Sequence, residues 1–374
     1  MQGQDFLKNA LDFRKQENAY RELVPERDLV DFCSNDYLGF SKNPAIQLAI
    51  QTELSKVQNK NIGATGSRLL TGNSRYAENV ESNIAAFHKA ESALFFNSGY
   101  DANIGLLSCI AKKTDTIIYD SLSHASIIDG VKLSIAGKKF KFAHNSISDL
   151  EKKIKHSTGN IFVVVESLYS MDGDFAPLKE IEEICAKNNA LLIIDEAHAN
   201  GIFGENGSGI VCEHGLENKV FARIHTFGKA IGAHGAAVLG SKSLKEYLIN
   251  FSRPLIYTTA LPLHAVVAIK CCYQSLETSG EERKKLFEIF EFYKSTIAKL
   301  SLLQFANASP IQAVVISGNS AVKKVSQLLV SNGFDVRPIL SPTVARGKER
   351  LRICLHSYNT KKEIETMLQL IRYE

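Results

Sequence analysis

The chain has 374 residues, of which 45% are hydrophobic and 22% charged, with a formal net charge of +4. That length exceeds one ordinary hydrophobic core, so two domains, or one large domain with a satellite, are expected. The mild charge gives no case for nucleic acid and suits an anionic small substrate or an acidic carrier, against the plainer reading of a basic soluble surface. Seven cysteines are scattered without a C-x-x-C pair, as buried free thiols in a reducing compartment would be. The opening stretch MQGQDFLKNALDFRKQ contains acids and lacks the apolar core of a signal peptide. No apolar run approaches the roughly 20 residues of a membrane span. A soluble, cytoplasmic protein is expected.

In chain order, residues 3–22 carry helical spacing, with Phe6, Leu7, Ala10, Leu11 and Phe13 on one face. DFCSNDYLGF (31–40) begins as a strand and breaks at a turn-forming cluster in which Asn35 reads as an Asx-turn residue. A helix over 44–57 follows. NIGATGSRLLTGNSR (61–75) is rich in small residues that allow close backbone approach. From the helix at 76–90 onward the chain alternates. Strands are expected at 93–96, 116–119, 139–143, 161–165, 191–194, 220–226 and 236–239. The helices among them are expected at 99–110, 124–133, 148–155 and 177–188. The β-branched run at 161–165 is continuous rather than alternating, as a parallel strand covered on both faces should be. This order predicts an α/β domain with a mainly parallel sheet, whose ligands sit at the carboxyl ends of the strands. Helices dominate 243–303. Strands at 311–317, 333–337 and 351–355 and helices at 321–332 and 361–372 read as a smaller α+β domain. The expected division is an N-terminal arm (1–45), a large domain (46–245) and a small C-terminal domain (246–374).

Two stretches stand out chemically. HTFGKAIGAHG (225–235) places Lys229 among glycines after a strand, and LLIIDEAH (191–198) ends a strand on Asp195. Lysine is ordinarily a surface charge, but one in a partly dry pocket becomes a nucleophile able to form a Schiff base. A Walker phosphate loop does not fit, because Ala230 follows Lys229 where Ser or Thr is required. Asp195 reads either as a cap for the next turn or as the acid facing a pyridinium nitrogen. His198 lies three residues on. His124, at a helix start, is either a polar terminal residue or a flat ring available for stacking. Asn97-Ser98-Gly99-Tyr100 precedes a helix, whose first N–H groups suit a phosphate. Neither H-E-x-x-H nor G-x-S-x-G occurs, which argues against a zinc protease and an α/β-hydrolase.

The motifs SNDYLGFS, TGSRLLTGN, NSGYDAN, DSLSHASIIDG, ESLYSMDGD, IDEAHANGIFG, HTFGKAIGAHGAAVLGS and SPTVARGKERLRICL span nearly the whole chain. Through them it resembles the α-oxoamine synthases, pyridoxal 5'-phosphate (PLP) enzymes of fold type I. That resemblance implies a large domain with a mainly parallel seven-stranded sheet and a smaller α+β C-terminal domain. It implies a homodimer with a shared site. It also implies Lys229 as the Schiff-base lysine, Asp195 at the pyridine nitrogen and His124 stacked on the ring. Ser170 and His198 would approach the ring substituents. Gly99, Tyr100 and Thr226 would hold the phosphate, with Thr258 or Thr259 from the partner subunit. Asn35 and Arg352 would bind the amino-acid carboxylate, and Arg21 and Thr343 the acyl substrate. The implied reaction is a decarboxylative condensation of an amino acid with an acyl thioester. The branch most resembled serves biotin synthesis, with L-alanine and a pimeloyl thioester on coenzyme A or acyl carrier protein. Glycine C-acetyltransferase, 5-aminolevulinate synthase and serine palmitoyltransferase are its rivals. A non-catalytic subunit of the same fold is a further alternative, disfavoured because Lys229, Asp195 and His124 are all present. The chain departs from the family pattern at Gly63–Arg68 (GATGSR), at Arg346 and at His356–Asn359 (HSYN).

Overall fold

Short strands, four of them followed by a polar residue that caps the next helix, set the architecture. The computed structural model describes residues 4–58, 61–301 and 307–372. In chain order the strands are β1 (Val30–Asp31), β2 (Ser92–Phe96), β3 (Thr116–Asp120), β4 (Lys138–Phe142), β5 (Ile161–Glu166) and β6 (Leu191–Asp195). There follow β7 (Ala222–Thr226), β8 (Ala236–Gly240), β9 (Ile311–Val315), β10 (Phe334–Asp335), β11 (Arg337–Ile339) and β12 (Arg350–Cys354).

Among the described residues the largest sheet has seven strands, in the order β2-β8-β7-β6-β5-β3-β4. β4, β3, β5, β6 and β7 run parallel, and β8 is antiparallel to both of its neighbours, β7 and β2. The mainly parallel sheet expected from the sequence is therefore present, with one reversed strand inside it. The reversal follows from the connection: β7 and β8 are joined by a hairpin at residues 227–235, whereas β2 through β7 follow one another through helical crossovers. Ser98, His124, Ser146 and Ser241 cap the helices that leave β2, β3, β4 and β8, each accepting a main-chain N–H with its side chain. These caps fix where each strand stops and its helix begins. The central strands are buried on both faces, and Leu94, Phe96, Ile117, Val164, Ile193, Ile224 and Val238 join one core cluster with Leu106, Leu107, Leu248 and Leu255.

The chain divides into two compact units. The smaller comprises the described residues of Met1–Asn35, Met171–Gly173 and Lys284–Glu374; the larger comprises Asp36–Ser170 and Asp174–Arg283. This division departs from the boundaries expected at 45/46 and 245/246. Tyr37, Leu38 and Phe40 are buried with the larger unit. So is the stretch after 245, because the helix Leu263–Thr278 packs on the helices Pro44–Lys56 and Arg75–Phe87. In the smaller unit β11-β12-β9 form an antiparallel sheet and β1 pairs parallel with β10. The N-terminal helix spans Asp5–Gln16, shorter than the expected 3–22. Gly3 of that expectation, and Leu302 and Leu303 of the expected helical region, lie outside the described residues. No described helix is long and apolar enough to cross a membrane.

Candidate active site

The parallel strands β3, β5, β6 and β7 end at Asp120, Glu166, Asp195 and Thr226, so four polar side chains stand along one sheet edge of the larger unit. Glu166 and Asp195 are cross-strand partners. Both are almost fully buried. Asp195 is held by two donors: Asn103 Nδ2 to Oδ2 at 2.7 Å and the Ala197 N–H to Oδ1 at 2.9 Å. The same Asn103 amide donates to Ser126 Oγ at 3.0 Å, and Ser126 Oγ lies 2.7 Å from His124 Nδ1. The Ser126 N–H also points at Nδ1, at 3.2 Å. Nδ1 therefore accepts, and a neutral His124 carries its proton on Nε2. Burial holds the His124 imidazole below its ordinary range; the Asp195 charge opposes that effect and the Lys229 charge adds to it. The His124 main-chain N–H donates to Glu166 Oε1 at 2.6 Å. Burial and the neighbouring Asp195 charge push the Glu166 carboxyl well above the usual carboxylate range.

Lys229 sits at the tip of the β7–β8 hairpin, half-buried. The tip is closed by Gly232 N–H to Lys229 O at 2.8 Å, Ala233 N–H to Phe227 O at 2.8 Å and Phe227 N–H to Gly235 O at 2.9 Å. Gly232 has φ +67°, and a Cβ there would lie 2.6 Å from the Ser41 nitrogen, so only glycine fits. The Lys229 charge acts on both His124 and Glu166.

Gly99 opens the helix Gly99–Ile110, and a Cβ on it would meet Thr226 Cβ at 3.3 Å. The helix start and the β7 end thus approach as closely as a missing side chain allows. Ser98 Oγ takes the Asp101 N–H, and Gly99 and Tyr100 supply the first-turn donors. Tyr100 donates its hydroxyl to Asp129 and stands edge-on to His124, ring centroids 6.5 Å apart. Asn97 Nδ2 donates to Thr258 Oγ1 at 3.1 Å and to the Thr259 carbonyl at 2.9 Å, so within one chain both threonines lie beside the turn that leads to Gly99. His198 is buried, with Nδ1 2.9 Å from the Tyr37 hydroxyl. Ser170 belongs to a turn closed by the Leu168–Phe175 bridge and by Tyr169 N–H to Asp174 O at 2.9 Å.

The expected substrate residues fall in the smaller unit, in two pairs. Arg352, on the middle strand β12, donates from Nη2 to Asn35 Oδ1 at 2.9 Å. Arg21 donates from Nη2 to Thr343 Oγ1 at 2.9 Å. Arg346, where the sequence is atypical, pairs with Glu17.

Glu166, Asn103, Tyr37 and His144 were not singled out from the sequence. Glu166, Asn103 and Tyr37 lie inside the quoted motifs ESLYSMDGD, NSGYDAN and SNDYLGFS; burial, which sequence spacing does not reveal, is what makes them part of the site.

Pyridoxal phosphate presents a ring nitrogen, a phenolic oxygen, an aldehyde and a phosphate. The larger unit offers a doubly held buried carboxylate, imidazoles, an amine on a rigid hairpin, and a helix start crowded against a threonine. This donor set fits the cofactor.

The aminotransferase class I and II family model matches residues 27–371. An 8-amino-7-oxononanoate synthase of Emericella nidulans is 41% identical over 98% of this chain and 94% of its own length. One from Bacillus subtilis, 8-amino-7-oxononanoate synthase 1, is 34% identical over 98% and 96%. Among solved structures, the Francisella tularensis 8-amino-7-oxononanoate synthase superposes with a TM-score of 0.80 at 30% identity, covering 93% of this chain and 98% of that one. A serine palmitoyltransferase from S. paucimobilis, solved with PLP and myriocin, gives 0.89 at 27% identity, covering 100% and 97%. The chain belongs to the aminotransferase class I and II family.

Proposed function

We propose that this protein is a PLP-dependent acyltransferase that condenses L-alanine with a pimeloyl thioester, with loss of carbon dioxide, to give 8-amino-7-oxononanoate for biotin synthesis. The observation that carries the reading is near-full-length identity to 8-amino-7-oxononanoate synthases, joined to a sheet edge that gathers Lys229, Asp195 and His124. The proposed form is a cytoplasmic homodimer, with Thr258 or Thr259 of one subunit serving the site of the other.

When bound, PLP supplies an electron sink for charge developing at the amino acid's α-carbon. Lys229 would hold the cofactor covalently, and its amine, freed when the amino acid's amine displaces it, would take the α-proton. Asp195, fixed by Asn103 and the Ala197 N–H, would face the ring nitrogen and keep a proton on it. His124 presents a neutral ring face, its Nδ1 occupied by Ser126. His198, oriented by Tyr37, and Ser170 would serve the ring substituents. Gly99, Tyr100 and Thr226 would hold the phosphate. Arg352 and Asn35 take the amino-acid carboxylate, a task suited to a planar guanidinium fork. Arg21 and Thr343 contact the acyl substrate.

The test is a thiol-release assay crossing L-alanine, glycine and L-serine with acetyl, pimeloyl and palmitoyl thioesters on coenzyme A and on acyl carrier protein. L-alanine with a pimeloyl thioester should be the best pair. Glycine with acetyl-coenzyme A as the best pair would overturn the reading. The serine palmitoyltransferase likeness makes L-serine with the palmitoyl thioester the second outcome to exclude.

A further inference from the structure

Three buried carboxyl groups end the parallel strands, Asp120, Glu166 and Asp195, and the proposed chemistry uses only the last. Glu166 and Asp195 end neighbouring parallel strands in direct register, 4% and 5% exposed. Their surroundings differ. Asp195 receives an N–H on each oxygen, one from Asn103 and one from the Ala197 main chain. Glu166 Oε1 receives the His124 main-chain N–H at 2.6 Å. Two adjacent buried carboxylates repel, and the negative charge settles on the one with more donors. The remaining charged groups that act on Glu166 are Asp120, which adds to the repulsion, and Lys229, which relieves it.

The contacts close a ring. Asp195 is bonded to Asn103, Asn103 to Ser126, Ser126 to the His124 imidazole, and the His124 main chain to Glu166, which lies beside Asp195. Asn103 and Ser126 fix the imidazole of His124. Glu166 fixes its backbone, at the residue that also caps the helix Ala125–Leu133.

We propose that Glu166 is a positioning residue that works as the neutral acid: its carbonyl oxygen anchors the His124 main chain while Asp195 alone carries the negative charge of the ring-binding face. This rests on the PLP reading and adds to it a residue that touches the cofactor-binding groups. The raised proton affinity of Glu166 agrees with it. A second negative charge here would compete with Asp195 for the proton on the ring nitrogen; a neutral acid keeps the acceptor without that competition.

The experiment compares Glu166→Gln with Glu166→Leu. Glutamine keeps a neutral carbonyl acceptor; leucine has similar volume and no acceptor, leaving a buried N–H unpaired. PLP is titrated into each resolved protein, with thermal melts as the folding control and Glu166→Ala in place of the leucine variant should that not fold. The infrared carboxylic-acid band of the PLP-free protein is recorded at neutral pH. The expected result is that Glu166→Gln holds PLP within about twofold of the parent, whereas Glu166→Leu weakens it about tenfold. An acid band should be present in the parent and missing from Glu166→Gln. The proposal is overturned if glutamine loses PLP as badly as leucine, if leucine binds PLP like the parent, or if the glutamine substitution removes no acid band. A parent protein that binds no PLP defeats the functional reading instead, and the infrared band still reports on Glu166.

Discussion

His144 Nδ1 lies 2.8 Å from Asp120 Oδ1 at the end of β3, and on its other side Nε2 lies 2.7 Å from Asp174 Oδ2. The imidazole thus ties the sheet edge to the base of the turn that carries Ser170. Burial works against its charge, but the hydrogen bonds to the two carboxylates outweigh burial and raise the His144 pKa to about 10. A folded-state pKa above the ordinary 6.5 means the charged histidine stabilises the fold fully below pH 6.5. That contribution is lost as pH rises through about 10. His144→Gln should lower the melting temperature at pH 6 by several degrees and flatten its fall between pH 7 and pH 10. Melting curves across that range check it; a parallel downward shift at all pH values would contradict it.

The Asn103 amide serves Asp195 and Ser126 together. Asn103→Ala should therefore unsettle both the acid and, through Ser126, the imidazole of His124. Loss of a hydrogen bond to a charged acceptor costs about 1.5–3 kcal/mol, so PLP affinity and kcat should each fall roughly tenfold or more. Ser126→Ala, which removes only the hydroxyl link, should cost less. Titration of PLP and steady-state kinetics on both variants separate the two effects.

Arg352 and Arg21 are each engaged with a different partner, Asn35 and Thr343. Their substitutions should act on different substrates. Arg352→Lys loses the planar fork and should raise the KM for the amino acid about tenfold, leaving the acyl KM nearly unchanged. Arg21→Ala should do the reverse. Varying each substrate at saturating levels of the other reads both, and a change in the same KM from both variants would contradict the assignment.

Gly232 holds the Lys229 hairpin in a conformation that a side chain opposes twice, through its φ of +67° and through the Ser41 nitrogen. Gly232→Ala should destabilise the protein by about 1–3 kcal/mol and reduce borohydride labelling at Lys229. Lys229→Ala should abolish labelling and turnover while the melting temperature stays within a few degrees. Denaturation and mass spectrometry of the reduced protein compare the two.

Much of the fold was legible because its signals are local. The caps Ser98, His124, Ser146 and Ser241 mark helix starts within a few residues of the strand ends. The direction of β8 was not legible, since AAVLG reads the same either way and only its pairing with β2 and β7 fixes it. The unit boundaries were hidden because Tyr37 and Leu255 look like any apolar residues until the core that buries them is known. At the site, Lys229 and Asp195 stand out beside glycines and at the end of an apolar strand. Glu166 and His144 do not, because a buried acid and a half-buried imidazole carry the same letters as exposed ones. Their roles arise from neighbours 24–42 positions away in sequence.

The reversed strand also bears on the order of assembly. β7 and β8 are nine residues apart, so the loop that presents Lys229 closes at small entropic cost. Asp195 gains its place only after β6 has paired with β5 and β7 across long crossovers. The amine's geometry is therefore a local property and the acid's a global one. Pulsed hydrogen exchange during refolding should protect the amides of Phe227 and Ala233, bonded within the hairpin, before that of Glu196, bonded across strands to Ile224. In chains that have stalled on the way to the native state, Lys229 would then already stand on its turn while the carboxylate that completes the site is still out of place.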